Sequence, residues 1–440
     1  MDKISITVLV ASSCLVAVES DKLYRVRINT EEQADLLADL QQNAHLDFWQ
    51  SGRHVGEEAL IRVREQDVLS TTDIMASTRL SFEVAHSDLD SMAASEKARD
   101  ERLAWSRPYI SGRAESYDFA QYHHLEEIYD FMDSTVKRPE VQKIAEVVRI
   151  GTTVEGRSMR LIKIGKPRNG PKKPGYFIEC NIHAREFIAA GTCVYFINEF
   201  VTGYLRNDSH FTRLIEELDW YILPVANPDG YEYAHSSSLA RIRYWRKNRS
   251  GPHEFKGIRA YGVDLNRNWG DHFGIGGRAA SPLPVRETYR GPSAFSEKET
   301  QALRDFVLTR KGHLRAYASI HAFSQLLLLP YCFNLTAQPP DFDEMYEVGQ
   351  RAAAAIGGVH GKYYRAGQCA GLYEHGGTVI DWTKEKAGIK WTFVIESRPR
   401  YPKSDISELG FNPDPAEIIP NAQEQLEAIF VFAHEILKTS

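Results

Sequence analysis

Short apolar runs alternate with amphipathic segments along most of this 440-residue chain. Short runs rich in β-branched and aromatic residues are typical of strands, and longer stretches with a period near 3.6 residues are typical of helices that cover a sheet. The predicted strands lie at residues 146–150, 161–164, 175–179, 220–225, 316–320 and 390–395. The predicted helices lie at residues 187–205, 297–310, 341–357 and from 421 onward. This interleaving predicts an α/β fold, a mixed twisted sheet with helices on both faces.

A smaller set of elements precedes this sheet, between about residues 23 and 103. They are a helix from Glu31 and strands at residues 24–28, 46–49, 60–63 and 80–84. We therefore predict a small α+β domain with its own core. Residues 93–113 are rich in charged and small side chains, which predicts a helix that fades into a linker. Arg107 and Arg113 would be exposed trypsin-like cleavage points there, and an ordinary interdomain linker is the alternative.

The N-terminus has the pattern of a secretory signal peptide. An apolar run over residues 4–18 follows Lys3, is short for a membrane span, and is followed by the small residue Ser20. A buried strand, the alternative, would need neither the basic residue nor the abrupt polar sequence from Asp21. We expect a secreted, extracellular protein divided as follows: signal peptide 1–20, N-terminal domain and linker 21–113, large domain 114–440. Removal of Cys14 with the signal peptide leaves four of the five cysteines, an even number in an oxidising compartment.

Composition and charge argue against two classes of partner. With 43% hydrophobic and 25% charged residues, the chain has an ordinary globular composition and enough length for a large core. A formal net charge of -6 and a pI near 6.2 give no reason to expect nucleic acid or an anionic membrane as a partner. We expect a monomer.

His183 and Glu186 are the first candidates for chemistry. They follow the predicted strand at 175–179 and precede the predicted helix at 187–205. They should therefore lie at the edge of the sheet where open α/β folds place their sites. An imidazole and a carboxylate three residues apart can converge on a divalent metal such as zinc that keeps an open position for water.

The spacing alone does not identify a metal site. His-x-x-Glu also begins at His54, His123 and His124, where it is typical of ordinary surface sequence. A helix predicted over residues 121–133 places His123 and His124 largely on its polar face. We therefore do not expect either histidine to bind a metal.

Two more candidates follow other predicted strands. His321 follows residues 316–320, and Glu396 follows residues 390–395. Taken singly, a histidine there is usually structural and a glutamate is usually a cap or solvated. Together with His183 and Glu186, however, they give two histidines and one glutamate for a catalytic zinc and leave Glu396 as a base.

Arginines form a second group of candidates. Arg185, Arg243, Arg246 and Arg267 lie in or near the segments 243–247 and 264–269. Guanidinium is the side-chain group suited to bidentate capture of a carboxylate. A charged cluster on a surface loop is the alternative.

Seven motifs together resemble one family in their order and spacing. They are His-Ala-Arg-Glu at 183–186, Asn-Pro-Asp-Gly at 227–230, Trp-Arg-Lys at 245–247, Gly-Val-Asp-Leu-Asn-Arg-Asn-Trp at 262–269, Ser-Ile-His at 319–321, Tyr373 ahead of Asp-Trp at 381–382, and Ile-Glu-Ser-Arg at 395–398. From about Tyr117 onward the chain resembles the digestive, pancreatic-type zinc metallocarboxypeptidases. The preceding domain, with Leu-Asp-Phe-Trp at 46–49, resembles that family's activation domain.

The resemblance implies a metal site and its catalytic partners. The implied ligands of a single zinc are His183, Glu186 and His321. Asp264 would orient His183 from behind. Glu396 would be the general base, and Arg246 would polarise the scissile carbonyl.

The resemblance also implies how a peptide would bind. Asn266 and Arg267 would clamp its terminal carboxylate, Tyr373 would be a mobile cap, and Arg185 would contact the substrate at a further subsite. Ile380 would form the floor of the pocket for the terminal side chain. Because an apolar floor gains from burying aromatic or large aliphatic groups and cannot compensate the desolvation of a charge, it predicts release of such residues.

The implied protein is a secreted zinc carboxypeptidase made as a zymogen. Its partners would be peptides and proteins with a free C-terminal carboxylate and an activating trypsin-like protease. A catalytically dead member that only binds peptide termini is one alternative, but no ligand or base is missing. A peptidoglycan or amide hydrolase on a similar scaffold is another, but it would lack the activation domain.

Cysteines and a few departures complete the comparison with the family pattern. The implied disulfides are Cys180–Cys193 and Cys332–Cys369. Ala260 and Val285 replace the disulfide that usually flanks the Asn-Arg segment, so packing should hold that loop. Phe323 replaces a tyrosine and removes one hydroxyl from a substrate subsite. Glycosylation sequons begin at Asn207, Asn248 and Asn334.

Overall fold

The computed structural model describes residues 20–438 apart from residues 41–45, 53, 169, 171, 278 and 401–409. Except for Ser20, the predicted signal peptide lies outside these described residues. None of the helices within them combines the length and the apolar character that a membrane span needs.

The N-terminal domain is a four-stranded antiparallel sheet with three helices. The strands are β1 (Lys22–Arg27), β2 (Leu46–Gln50), β3 (Glu58–Val63) and β4 (Ser81–His86), in the order β2-β3-β1-β4. The helices are α1 (Glu31–Leu40), α2 (Val68–Ser77) and α3 (Leu89–Ser106). Helix α2 was not predicted, since its serines and threonines are weak helix formers. The small α+β domain is confirmed.

Both faces of this small sheet are covered. On one face, Ile61 and Val63 of β3 pack with Leu37 of α1 and Met75 of α2. On the other face, Leu60 belongs to the core of the large domain. Because successive strand residues point to opposite faces, β3 contacts both cores. This is why the N-terminal domain can lie flat against the rest of the molecule.

The large domain is built on an eight-stranded mixed sheet. Its strands are β5 (Ala145–Thr152), β6 (Ser158–Ile164), β7 (Gly175–Cys180), β8 (Asp219–Leu223), β11 (Leu314–Ala322), β12 (Leu326–Leu329), β13 (Arg365–Gln368) and β14 (Trp391–Ser397). A separate hairpin contains β9 (His253–Phe255) and β10 (Ile258–Ala260). The strand order in the eight-stranded sheet is β13-β12-β14-β11-β7-β8-β6-β5. Strands β14, β11, β7 and β8 are mutually parallel, and β5, β6 and β12 introduce antiparallel pairs.

Helices cover both faces of this sheet, as predicted. They are α4 (Leu125–Val136), α5 (Phe187–Leu205), α6 (Ser209–Glu217), α7 (Pro228–His235), α8 (Ala240–Arg243), α9 (Lys298–Leu308), α10 (Phe342–His360), α11 (Val379–Glu385) and α12 (Ile418–Lys438). Helices α5, α10 and α12 share one buried cluster, and α9 and α11 share the cluster on the opposite face. The parallel strands are buried on both faces, which is why they read as continuous apolar runs.

One expectation about this region is wrong. Helix α4 begins at Leu125, so His123 precedes it and the helical period does not apply to that position. His123 is buried and stacks on Tyr117, with ring centroids 3.9 Å apart. His124, just before α4, remains on the polar side, with its side chain 58% exposed.

Candidate active site

A tight turn places His183 and Glu186 together at the end of β7. Asn181 takes a left-handed conformation with φ 55°, and its side-chain amide donates to the carbonyl oxygens of His183 and Glu186 at 3.2 and 3.1 Å. Helix α5 begins directly afterwards, and the Cys180–Cys193 disulfide joins it to the strand, as expected. The turn is therefore fixed at both ends.

His321 completes a converging set of three metal-binding groups. Its Nδ1 lies 3.1 Å from Nδ1 of His183 and 3.1 Å from Oε2 of Glu186, whose Oε1 lies 2.8 Å from Nδ1 of His183. A tetrahedral zinc with bonds of about 2.1 Å needs ligand atoms about 3.4 Å apart. Two imidazole nitrogens and one carboxylate are also a typical catalytic zinc donor set. These three residues fit zinc, as predicted.

Asp264 connects the histidine to an arginine. Its Oδ1 lies 3.2 Å from Nε2 of His183, and its Oδ2 accepts from Nε of Arg246 at 2.9 Å. Burial alone would raise the pKa of Asp264, but Arg246, Arg267 and His183 hold it well below its usual value. The ionised carboxylate can accept a hydrogen bond from the protonated Nε2 of His183. This leaves the unprotonated Nδ1 free to bind a metal.

Glu396 lies directly across the parallel ladder from His321, on β14. Burial raises its pKa to about 7, and the nearby Glu186 adds to this effect against His321, Arg246 and Arg267. It lines the same cavity as the three metal-binding side chains. A carboxylate with a pKa near neutrality is suited to accepting and returning a proton.

Arg267 and Asn266 are held in fixed positions in a short turn beside this cavity. Arg267 is buried and donates to the carbonyl oxygen of Asn266 at 2.8 Å and to the hydroxyl of Tyr373 at 3.2 Å. The side-chain oxygen of Asn266 accepts from the main-chain N–H of Val379 at 2.9 Å. This bond directs the amide NH₂ group away from α11. Both residues can therefore donate to an anion.

Ile380 follows Val379 in α11 and contributes an apolar wall. It is 1% exposed and belongs to one cluster with Leu328, Val394 and the cysteines of the Cys332–Cys369 disulfide, which is present as expected. The carboxylate of the adjacent Asp381 accepts from the main-chain N–H of Cys332 at 2.9 Å. Ile380 and its apolar neighbours, but not Asp381, line a cavity of about 930 Å³ that the metal-binding groups and Glu396 also line.

Two of the four predicted arginines contact the N-terminal domain. Arg185 donates to Asp47 at 2.7 Å, and Arg243 makes two bonds to Glu96 at 2.9 and 2.8 Å. Both arginines are buried, so the idea of a charged cluster on a surface loop is wrong. Sequence reasoning missed Asp47 and Glu96. The only signal for Asp47 was its place in the Leu-Asp-Phe-Trp motif.

The loop that lacks the usual disulfide is held by polar contacts as well as packing. Nζ of Lys247 donates to the carbonyl oxygen of Pro284 at 2.9 Å, next to Val285. Burial lowers the pKa of Lys247 to about 8. The main-chain N–H of Asp264 donates to the carbonyl oxygen of Tyr289 at 2.7 Å. The expectation that packing alone replaces the disulfide was therefore incomplete.

The structure shows what surrounds Phe323, which departs from the family pattern, and Asn248, which begins a glycosylation sequon. Phe323 packs edge-on against Phe411, with ring centroids 5.1 Å apart, so its ring has an apolar partner where the family has a hydroxyl. Asn248 is buried, and its amide donates to Glu297 and Glu299 at 2.7 and 3.0 Å. It cannot be glycosylated in this fold, whereas Asn207 is exposed.

Comparison with known proteins agrees with this geometry. The zinc carboxypeptidase family model matches residues 128–428, and the carboxypeptidase activation peptide model matches residues 24–96. Mouse carboxypeptidase A2 is 33% identical over 414 residues, covering 93% of this chain and 92% of its own. Bovine carboxypeptidase B is 33% identical over 416 residues, again covering 93% and 92%. The crystal structure of carboxypeptidase A from Helicoverpa armigera matches with a TM-score of 0.85 and 26% identity, covering 95% of this chain and 98% of that one. The chain belongs to the zinc carboxypeptidase family and has an activation domain at its N-terminus.

Proposed function

We propose that this protein is a secreted carboxypeptidase zymogen that, once activated, releases single aromatic or large aliphatic residues from peptide C-termini. The observation that carries the proposal is a single cavity with three zinc ligands, a base, a carboxylate clamp and an apolar wall. The proposed boundaries are residues 1–20 for the signal peptide, 21–113 for the activation domain and linker, and 114–440 for the catalytic domain.

Chain-end specificity follows from the clamp. Arg267 and the amide of Asn266 donate to the terminal carboxylate of the substrate, and Tyr373 closes over it. Tyr373 already contacts Arg267 through its hydroxyl. A peptide bond in the middle of a chain offers no carboxylate. Binding of such a segment would therefore leave the buried Arg267 without an anion to pair with, which would weaken binding by several kcal/mol. The enzyme therefore acts only at chain ends.

The hydrolytic step divides between the metal and the chain's own residues. His183, Glu186 and His321 would hold the zinc, which when bound would supply a Lewis acid and lower the pKa of water. Glu396 takes the proton from the attacking water and delivers it to the leaving amine. Arg246, oriented by Asp264, donates to the oxygen that gains negative charge. Such a donor typically contributes a few kcal/mol to transition-state stabilisation.

Side-chain preference follows from Ile380 and its neighbours. Leu328, Val394 and the Cys332–Cys369 disulfide surround it in one apolar cluster. Burial of apolar surface stabilises a bound phenylalanine or leucine by about 25 cal/mol per Å². A lysine or aspartate side chain would lose hydration without gaining a partner, at a cost of several kcal/mol. This favours an A-like over a B-like specificity.

The zymogen form rests on the two ion pairs to the N-terminal domain. Asp47 forms an ion pair with Arg185, the residue to which we assign a substrate contact. Glu96 of α3 forms a second ion pair with Arg243. Arg107 and Arg113 are both exposed beyond α3, which supports cleavage by a trypsin-like protease. We propose Arg113 as the final site. Two disulfides support an extracellular location, and we propose a monomer.

Limited proteolysis tests the activation step directly. The uncut protein is treated with trypsin, sequenced from its new N-terminus and assayed on a blocked dipeptide that ends in phenylalanine. We expect a fragment that begins at Ala114 and a large gain in activity. The variant Arg113→Gln should be activated more slowly. Full activity of the uncut protein would refute an inhibitory role for the N-terminal domain.

A further inference from the structure

Three cationic side chains line the outer part of the active-site cavity: Lys362, Arg365 and Arg400. We call them the cationic rim. Arg365 and Arg400 are exposed, and Lys362 is partly exposed. Within the described part of the chain, none of the three makes an ion pair with another residue. Most other charges in the cavity are engaged: Arg246 pairs with Asp264, and Glu58 pairs with Arg25 and Arg27.

The strand register fixes how far the rim lies from the reacting centre. Arg365 begins β13 opposite Leu326 of β12, and Leu326 lies opposite Glu396 of β14. Neighbouring strands are about 4.8 Å apart, so Arg365 and Glu396 are about 10 Å apart across the sheet. Residues that face each other across a ladder project from the same face. The side chain of Arg365 therefore projects to the same side as the base.

Gln325 connects the main chain at Arg365 and Arg400, and it also bonds to Tyr363, the neighbour of Lys362. Its buried side chain accepts from the main-chain N–H of Arg400 at 2.6 Å and donates to the carbonyl oxygen of Tyr363 at 3.0 Å. The main-chain carbonyl oxygen of Gln325 accepts from the main-chain N–H of Arg365 at 3.2 Å. The guanidinium of Arg400 lies 5.4 Å from the ring centroid of Tyr363. The cations therefore project from a hydrogen-bonded frame.

Activation makes this side of the cavity more positive. In the uncut protein Arg185 is neutralised by Asp47, which belongs to the N-terminal domain. Departure of that domain removes the carboxylate and leaves Arg185 facing the cavity that the rim also lines. The acidic Glu287 lines the cavity from another loop and has Arg286 beside it. A peptide that enters past the rim thus meets an excess of positive charge.

We propose that the activated enzyme selects peptides with acidic residues about three to five positions upstream of the residue that is released. An extended peptide spans about 3.3 Å per residue, so about 10 Å corresponds to three residues. This inference rests on the proposed function and adds a second determinant to it. The pocket at Ile380 selects the terminal side chain, and the cationic rim selects charge further upstream.

Matched peptides test the inference. Three blocked peptides end in the same leucine and carry glutamate, glutamine or lysine at the third to fifth positions upstream. We expect the activated enzyme to favour the glutamate over the glutamine peptide by about tenfold in kcat/KM, mainly through KM, because each exposed charge pair contributes modestly. The lysine peptide should be the poorest of the three. In 1 M salt, where the Debye length is about 3 Å, the differences should largely disappear.

Variants assign the effect to the rim. A triple variant with Lys362→Gln, Arg365→Gln and Arg400→Gln should cleave the three peptides equally while its activity on a blocked dipeptide stays unchanged. Arg365→Glu alone should reduce the preference for glutamate, and a control with Lys143→Gln and Lys172→Gln, two exposed lysines that do not line the cavity, should retain it. Equal cleavage by the wild-type enzyme, or an undiminished preference in the triple variant, would overturn the inference. Cleavage of neither the peptides nor the dipeptide would overturn the proposed function, and the inference with it.

Discussion

Arg185 donates to Asp47 across the domain boundary at 2.7 Å, and these two residues are 138 positions apart in the chain. Arg185 lies between His183 and Glu186 in the sequence, and Asp47 lines the same cavity as these two candidate metal-binding residues. Burial alone would raise the pKa of Asp47, but Arg185 and Arg62 hold it below its usual value. Both members of this ionised pair line the cavity where we place the substrate.

Loss of this carboxylate should weaken inhibition in the uncut protein. Asp47→Asn keeps the size of the side chain but removes a charge-assisted hydrogen bond, a contribution of about 1.5–3 kcal/mol. We expect the uncut variant to be at least ~10-fold more active on a blocked dipeptide than the uncut wild type. Asp73→Asn, at an exposed position on α2, serves as the control. Equal activity of the uncut Asp47→Asn and wild-type proteins would mean that inhibition depends on other contacts.

Glu396 is the residue that we assign as the general base. Glu396→Gln keeps the shape of the side chain and removes the proton acceptor. Turnover should therefore fall by at least ~10², while elemental analysis still finds one zinc per chain. Glu385→Gln, an exposed substitution at the end of α11, should change neither. Near-normal turnover in Glu396→Gln would place the base elsewhere.

Asp100 on α3 should make stability depend on pH. Burial, with Glu96 nearby, raises its pKa to about 6 against the effect of Arg99. The folded state therefore binds a proton more tightly than the unfolded chain, whose aspartate has a pKa of about 3.9. Between about pH 4 and 6 this carboxyl's contribution to stability falls as the pH rises, and the ionised form then destabilises the fold by about 1–3 kcal/mol.

The substitution Asp100→Asn isolates this contribution. At pH 7 it should stabilise the uncut protein by about 1–2 kcal/mol, because part of the penalty is offset by loss of the pairing with Arg99. At pH 4 the gain should be small. Glu101→Gln, an exposed neighbour on the same helix, is the control. Urea unfolding at both pH values gives the comparison, and an equal effect of Asp100→Asn at pH 4 and pH 7 would refute the assignment.

The pocket assignment predicts a change of specificity on a single substitution. Ile380→Asp introduces a carboxylate into the apolar wall, where it can pair with a basic terminal side chain. The ratio of kcat/KM for peptides ending in lysine to those ending in leucine should rise by at least ~10², with zinc content unchanged. Ile380→Val should retain the wild-type preference. No change of the ratio in a folded, zinc-containing Ile380→Asp would show that Ile380 does not face the terminal side chain.

The sheet and the residues at its edge could be predicted because the signals are local. The run at 175–179 became β7 (Gly175–Cys180), and the stretch at 187–205 became α5 (Phe187–Leu205). Parallel strands buried on both faces are apolar throughout, so their ends are easy to see. His183, His321 and Glu396 each follow or end such a run, and parallel pairing brings their strand ends together.

Elements without a local signal were missed. Strand β13 (Arg365–Gln368) is an edge strand with no fully buried residue, so it has no apolar run. Strand β12 (Leu326–Leu329) is only four residues long, too short for periodicity to separate strand from helix. The register of these two strands is what places Arg365 in line with Glu396.

Contacts between distant segments also lay beyond the sequence pattern. Glu96 and Arg243 are 147 positions apart and form a buried pair. Periodicity reports which face of an element is buried, but it does not report which charge lies on the opposite element. For the same reason the sequence indicated that Asn248 begins a glycosylation sequon, but not that Glu297 and Glu299 enclose its side chain.

Release of single C-terminal residues by the trypsin-treated protein is the activity that would establish it as a zinc-dependent carboxypeptidase. Matched peptides that differ only in a terminal phenylalanine, leucine, lysine or glutamate are assayed with and without a zinc chelator, and the released amino acid is quantified. We expect zinc-dependent release, with phenylalanine and leucine favoured over lysine and glutamate by at least ~10³ in kcat/KM. Release that persists without zinc, or a preference for lysine or glutamate, would contradict it.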